Sequence, residues 1–215
     1  MLAPRTSMRR RREARLRVAS LAAALRQLVD GSDLAQAELD AAFAELLSGE
    51  VSDVQAAAWL TAWRFRGETP ESLAAARSAL MRHAVPWPQA VPEVLDTCGT
   101  GGDGQGTFNI STAAALVVAA AGVPVVKHGN RGFTSPSGSA DVLAAMGLPI
   151  ALDPAATVRC LTETQFAFCL ASHWHPAVGR LATVRRQLGF LTLFNLVGPL
   201  ANPARPLWQV VGVGR

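Results

Sequence analysis

The chain has 215 residues, half of them hydrophobic and 17% charged, which is ample for a packed core and rules out a disordered chain. Its three cysteines, Cys98, Cys160 and Cys169, form no C-x-x-C pair and no even framework. A disulfide scaffold and a structural zinc site are therefore excluded, and a reducing, cytoplasmic setting is expected. No run approaches the roughly eighteen uncharged apolar residues of a membrane span.

The net charge of +4 is concentrated at one end, where seven arginines between Arg5 and Arg17 stand against one acid, Glu13. Residues 1–17 are expected to be a basic, disordered arm. An arm that binds nucleic acid or serves as a targeting peptide is the competing reading. Without a folded basic surface it gives no reason to expect a nucleic-acid partner.

Residues 18–84 have helical character. "VASLAAALRQLV" carries apolar residues at helical spacing, and "DGSDL" interrupts it. Ser32 or Asp33 is placed to cap "LAQAELDAAFAELLSG", which Gly49 ends. Ser52 opens "SDVQAAAWLTAWRFRG", closed by Gly67, and Thr69-Pro70 opens "ESLAAARSALMRHA". Four helices with short connections predict a small bundle.

The proline-spaced stretch "VPWPQAVPEVL", 85–95, breaks the helical period and reads as a hinge. From 96 to 215 the texture is that of an α/β domain with a mainly parallel sheet. "VPVV" at 123–126 and "QVVGV" at 209–213 read as buried strands, with helices expected from Thr112 to Ala121 and from Asp141 to Met146. A further strand is expected to end near Leu95. In such sheets ligands sit beyond the carboxyl ends of the strands.

Two turns then carry the chemistry. In "DTCGTGGDGQGTFNIST", Asp96 to Thr112, five glycines fall between Gly99 and Gly106, and a helix is expected from Ser111 or Thr112. Glycine-rich backbone running into a helix start gathers N–H groups around one small volume, which suits phosphate. Thr107, Asn109, Ser111 and Thr112 add side-chain donors, and the Ser111 hydroxyl can reach a metal. Asp103 would repel an anion unless a cation or a sugar hydroxyl intervened. The stretch fits neither G-x-x-x-x-G-K-[ST] nor G-x-G-x-x-G.

The second turn, "KHGNRGFTSPSGSAD", 127–141, offers Lys127 and Arg131 as fixed cations and His128 as a titratable group. Asn130 adds an amide, and Thr134, Ser135, Ser137 and Ser139 add hydroxyls. A ligand bearing several phosphates requires such a set. Farther on, Arg185 or Arg186 could grip a carboxylate through the planar guanidinium. His175, before Pro176, reads as structural.

Taken in order, GTGGDG (99–104), FNIST (108–112), KHGNR (127–131), VRRQLG (184–189) and FNLVGPLANP (194–203) resemble the anthranilate phosphoribosyltransferase family. The likeness runs from about Val18 to the last residue. It implies a small N-terminal α-helical domain, a larger α/β domain and a homodimer formed through the helices. It also implies transfer of the phosphoribosyl group of 5-phosphoribosyl 1-pyrophosphate to the amino group of anthranilate in tryptophan biosynthesis, with Mg²⁺.

By motif, the resemblance gives the phosphoribosyl substrate to Gly99, Gly102, Asp103, Thr107, Asn109, Ile110, Ser111, Thr112, Lys127, His128, Gly129, Asn130, Arg131, Gly132, Phe133, Thr134, Ser135 and Ser139. It gives anthranilate to Gly99, Asn130 and Arg185, and the metal to Ser111. No residue is assigned as a general acid or base.

Thr134-Ser135 stands where the family commonly has Ser-Ser, and the family continues past "QVVGV" into an Asp-Glu pair for Mg²⁺. The α/β domain is thus expected to be C-terminally truncated, with an exposed sheet edge, and a 215-residue chain to be weakly active or inactive. A pyrimidine-nucleoside phosphorylase-like enzyme and a non-catalytic nucleic-acid-binding relative are the alternatives. The first would carry a different glycine-lysine signature in the first turn.

Overall fold

The computed structural model describes residues 20–89, 93–101, 108–132 and 137–213. The basic arm lies outside them, as do Gly102, Asp103, Thr107, Phe133, Thr134 and Ser135 of the expected site.

Helices α1 (Leu21–Val29), α2 (Gln36–Ser48), α3 (Asp53–Arg66) and α4 (Pro70–Arg82) form the bundle. Their ends follow local chemistry. Ser52 Oγ accepts from Gln55 N, Thr69 Oγ1 accepts from Ser72 N ahead of Pro70, and Gly49 closes α2 at φ 88°. The start of α2 differs from the expectation. Ala35, not Ser32 or Asp33, is the first cap, and Glu38 compensates by accepting the Ala35 N–H at 2.8 Å.

After the connection at 83–94, β1 (Leu95–Gly99), α5 (Ile110–Ala120), β2 (Val125–Gly129), α6 (Ser139–Ala145), α7 (Pro154–Thr164) and β3 (Phe166–Leu170) alternate. Short helices α8 (Ala171–Trp174), α9 (Pro176–Arg180), α10 (Ala182–Leu188) and α11 (Leu193–Val197) follow. A 3₁₀ turn at Gly198–Leu200 leads to β4 (Trp208–Gly212). The sheet is parallel throughout, in the order β3-β2-β1-β4.

Four expectations are corrected here. Leu95 begins β1 rather than ending a strand, because Leu95 pairs with both Val125 and Trp208 and its N–H donates to Pro124 O. Helix α5 starts at Ile110, with Asn109 rather than Ser111 at its cap, and α6 starts at Ser139 rather than Asp141. Strand β4 is an edge strand and exposed, not buried, since among the described residues only β1 flanks it. The fully buried β3, "FAFCL", had a readable signal in its apolar run.

The bundle core is shared across the sequence. Phe43, Trp59 and Leu60 of α2 and α3 pack in one cluster with Leu181, Val184, Phe194 and Val197. Two polar ties fix that packing: Arg77 Nε donates to Leu200 O and Arg180 Nη1 to Ser48 O, each at 2.7 Å. Helices α9 to α11 thus pack on the bundle, and the 3₁₀ turn that follows them reaches β2.

Candidate active site

Strands β1 and β2 are neighbours and parallel, so Gly99 and Gly129 end at the same edge of the sheet. Both chemistry-bearing turns leave from that edge, as the carboxyl-end rule requires. They meet directly: Asn109 Nδ2 donates to Ser137 Oγ at 3.0 Å.

Beneath them lies a buried polar layer. Lys127, on the α5 face of β2, is only 1% exposed. Its Nζ donates to the carbonyl of Thr97 and, at 3.2 Å, to Ser111 Oγ. Thr97 Oγ1 in turn donates to Ser111 O at 2.7 Å, so the first turn of α5 is tied to both strands. Burial pulls the Lys127 ammonium below its ordinary pKa, and the carboxylate of Asp96 opposes that shift.

Asp96 lies on the other face of β1 and is fully buried. Its Oδ1 accepts the His128 N–H at 3.3 Å and its Oδ2 accepts from Gln209 Nε2 at 3.1 Å. Asn202 also bonds to it, and donates to Val126 O at 2.8 Å. Burial raises the Asp96 pKa, while Asn202, Gln209 and Lys127 resist. The sequence reading missed this group, although its charge within a strand-like segment was a signal: a buried carboxylate must be paired.

His128 turns the opposite way from Lys127, as strand alternation demands. Its Nδ1 donates to Gly198 O at 3.0 Å, and its ring meets His175 edge-on at a centroid distance of 5.2 Å. Burial pushes its pKa down to about 3, so it is a neutral imidazole at pH 7 rather than a cation. His175 is held by Ala201 O through Nε2 at 2.7 Å, a structural placement.

The remaining groups are nearer solvent. Asn130, Arg131 and Gly132 are exposed, and Gly129 and Ser139 half-buried. Ile110 is exposed, Ser111 half-buried and Thr112 buried. Arg185 lies within α10, where its Nη2 donates to Asn195 Oδ1 at 3.2 Å and its guanidinium lies 5.9 Å from the Phe194 ring centroid. Arg186 is exposed. Among the described residues no three His, Cys, Asp or Glu side chains are grouped to hold a metal, so Ser111 Oγ is the one expected metal donor placed here.

Two turns on one edge of a parallel sheet, beside a helical bundle, define a class. Residues 91–215 match the glycosyl transferase family's a/b domain, and residues 22–84 match the same family's helical bundle domain. The chain belongs to this glycosyl transferase family.

Within it, similarity is high to anthranilate phosphoribosyltransferases. That of Methylobacterium radiotolerans is 51% identical over 191 residues, 89% of this chain and 55% of that protein. That of Idiomarina loihiensis is 48% identical over 190 residues, 88% of this chain and 56% of that protein. The crystal structure of the Thermus thermophilus enzyme superposes with a TM-score of 0.82 at 44% identity, covering 88% of this chain and 58% of that one. The Saccharomyces cerevisiae enzyme in complex with PRPP and Mg also gives 0.82, at 30% identity, covering 90% and 58%. The chain spans little more than half the length of these relatives. Among the described residues no helix is long and apolar enough to cross a membrane.

Proposed function

We propose that the chain carries the phosphoribosyl-binding part of an anthranilate phosphoribosyltransferase of tryptophan biosynthesis. The amino nitrogen of anthranilate attacks C1 of 5-phosphoribosyl 1-pyrophosphate. The bond from C1 to the pyrophosphate oxygen breaks, its electron pair leaves with pyrophosphate, and the nitrogen loses a proton to solvent.

The observation that carries this reading is the junction of the two turns through Asn109 and Ser137 over the Lys127–Ser111 pair. It brings the Asn109 amide and the Ser137 and Ser111 hydroxyls together above a buried ammonium, which supports a diphosphate site on that edge. An aryl amine is a weak base and already neutral at pH 7, so the reaction needs no strong base. The barrier is departure of the leaving group, and the protein's share is alignment and charge stabilisation.

In this reading Gly99, Asn109 to Thr112 and Lys127 to Gly132 hold the phosphoribosyl substrate, together with Ser139. Gly102, Asp103, Thr107, Phe133, Thr134 and Ser135 keep the roles the resemblance gives them. Lys127 and His128 act from below: the ammonium fixes Ser111, and the neutral imidazole shapes the floor. Gly99, Asn130 and Arg185 receive anthranilate, with the guanidinium on its carboxylate. The Ser111 hydroxyl is a hard oxygen donor of the kind Mg²⁺ takes, so Ser111 would hold the ion together with oxygens of the substrate. When bound, the ion neutralises charge on the departing pyrophosphate. The protein is read as a cytoplasmic homodimer joined through the helical bundle, with 85–95 as a hinge.

Calorimetric titration of 5-phosphoribosyl 1-pyrophosphate with Mg²⁺ tests the reading. Saturable heat that disappears when EDTA removes the metal supports it, and the absence of saturation sinks it.

A further inference from the structure

Asp141 is absent from the expected site, yet its carboxylate ties together three points of the second turn. Its Oδ2 accepts two backbone N–H groups, from Gly132 at 2.7 Å and from Gly138 at 2.8 Å. Its Oδ1 takes Arg131 Nη1 at 3.0 Å. Ordinary helix capping explains the bond to Gly138, three residues back. It does not explain Gly132 or Arg131, nine and ten residues away.

The neck this carboxylate closes is tight. A Cβ on Gly138 would stand 2.4 Å from both Asn130 O and Gly132 N. Asn130 O also accepts Ala140 N–H at 3.2 Å and Ser139 Oγ–H at 3.3 Å. The start of α6 is thereby bonded to the Asn130–Gly132 turn. The two backbone N–H groups, with Arg131, hold the Asp141 pKa below the ordinary carboxylate range.

We propose that Asp141 is a positioning residue for the anion-binding turn: one carboxylate sets both the backbone of Gly132 and the direction of the Arg131 guanidinium. This rests on the phosphoribosyl-binding reading above. Two effects of removing the charge oppose each other. Loss of a nearby anion would favour a phosphate ligand, whereas loss of the clasp would misplace its donors. Three bonds to one group make misplacement the larger effect.

The test compares Asp141→Asn, Asp141→Glu, Arg131→Ala and the Asp141→Asn/Arg131→Ala double variant in the full chain. Calorimetry with 5-phosphoribosyl 1-pyrophosphate and Mg²⁺ is paired with amide hydrogen exchange over peptides containing Gly132 and Gly138. Asp141→Asn is expected to bind at least tenfold more weakly and to exchange faster at both glycines, with exchange in the β-sheet core unchanged. Asp141→Glu should recover part of the affinity. The double variant should lose less than the sum of the two single losses. Affinity that is unchanged or raised in Asp141→Asn, or losses that simply add, overturns the proposal. Unaltered exchange at Gly132 overturns it without reference to any ligand. If the parent chain binds none of the sugar phosphate while the exchange result holds, the functional reading fails and the clasp stands.

Discussion

Lys127 Nζ and Ser111 Oγ lie 3.2 Å apart, a buried ammonium holding the one hydroxyl in the described site expected to meet a metal. The carboxylate that supports this buried charge is Asp96, on the adjacent strand. No ion pair joins the two, which sit on opposite faces of the sheet; the Lys127 ammonium is held directly by Thr97 O and Ser111 Oγ, and losing the hydrogen bonds of a buried charged group typically costs roughly 1.5–3 kcal/mol. Lys127→Met is therefore expected to lower unfolding free energy by about that much. Asp96→Asn/Lys127→Met should lose less than the sum of the single variants, because the attraction between the two charges is then lost only once. Urea denaturation of the four proteins measures the cycle.

His128 makes stability fall in acid. Its folded-state pKa of about 3 lies below the ordinary histidine value, so the unfolded chain takes up the proton first. That stability is whole above pH ~6.5 and is lost as pH falls toward 3, at about 1.4 kcal/mol per pH unit. His175, also depressed by burial, adds to the slope in the same direction. Denaturation midpoints should therefore drop steadily between pH 7 and 4.5, and His128→Gln should flatten the slope. A flat profile in the parent protein would show that neither imidazole is buried neutral.

Arg185 and Arg186 offer a contrast within two consecutive residues. Arg185 is half-buried against Phe194 and bonded to Asn195, whereas Arg186 faces solvent. If Arg185 grips the anthranilate carboxylate, Arg185→Ala should weaken anthranilate binding by about 2 kcal/mol, roughly thirtyfold. Arg186→Ala should change it less than threefold. Titration of anthranilate by its own fluorescence, with the sugar phosphate and Mg²⁺ present, separates the two.

What was legible in the sequence follows the range of the interaction. Caps at Ser52 and Thr69 and the stop at Gly49 are set within four residues, and each is where the sequence put it. The two turns were legible because their glycines and polar residues are contiguous. The polar floor was not. Asp96 finds Gln209 across 113 positions, and Asn202 finds Val126 across 76. Only the β3-β2-β1-β4 order brings them together. The sharing of the bundle core by Leu181 and Phe194 had no local signal for the same reason. Lys127 and His128 were recognised by type, but their burial depends on helix α5 over one face of β2 and on the Gly198–Leu200 turn and His175 over the other.

Gly138 tests how firmly the second turn is closed. The obstacles to a Cβ there are backbone atoms of Asn130, Arg131 and Gly132, which cannot swing aside as a side chain would. Gly138→Ala should cost roughly 1–3 kcal/mol. At Gly129 the nearest obstacle is instead the Ser139 hydroxyl, so Gly129→Ala should cost less when Ser139→Ala accompanies it than alone. Thermal midpoints of Gly138→Ala, Gly129→Ala, Ser139→Ala and the Gly129→Ala/Ser139→Ala double variant provide the comparison.

Strand β4 gives the last expectation. Among the described residues it pairs only with β1, and its other edge leaves backbone donors and acceptors without a strand partner. Trp208 is 60% exposed and Val210 62%, with Leu207 and Val213 exposed beside them. An unprotected apolar edge is a template for pairing with another chain, and a lysine on such an edge opposes it by charge and by solvation. The 215-residue chain should therefore associate beyond a bundle-joined dimer as its concentration rises. Val210→Lys should suppress that association while leaving the far-ultraviolet circular dichroism unchanged. Light scattering across a concentration series measures both proteins. Equal association in the two would place the contact elsewhere, with the exposed Val29, Val54 and Phe65 of the bundle next in line.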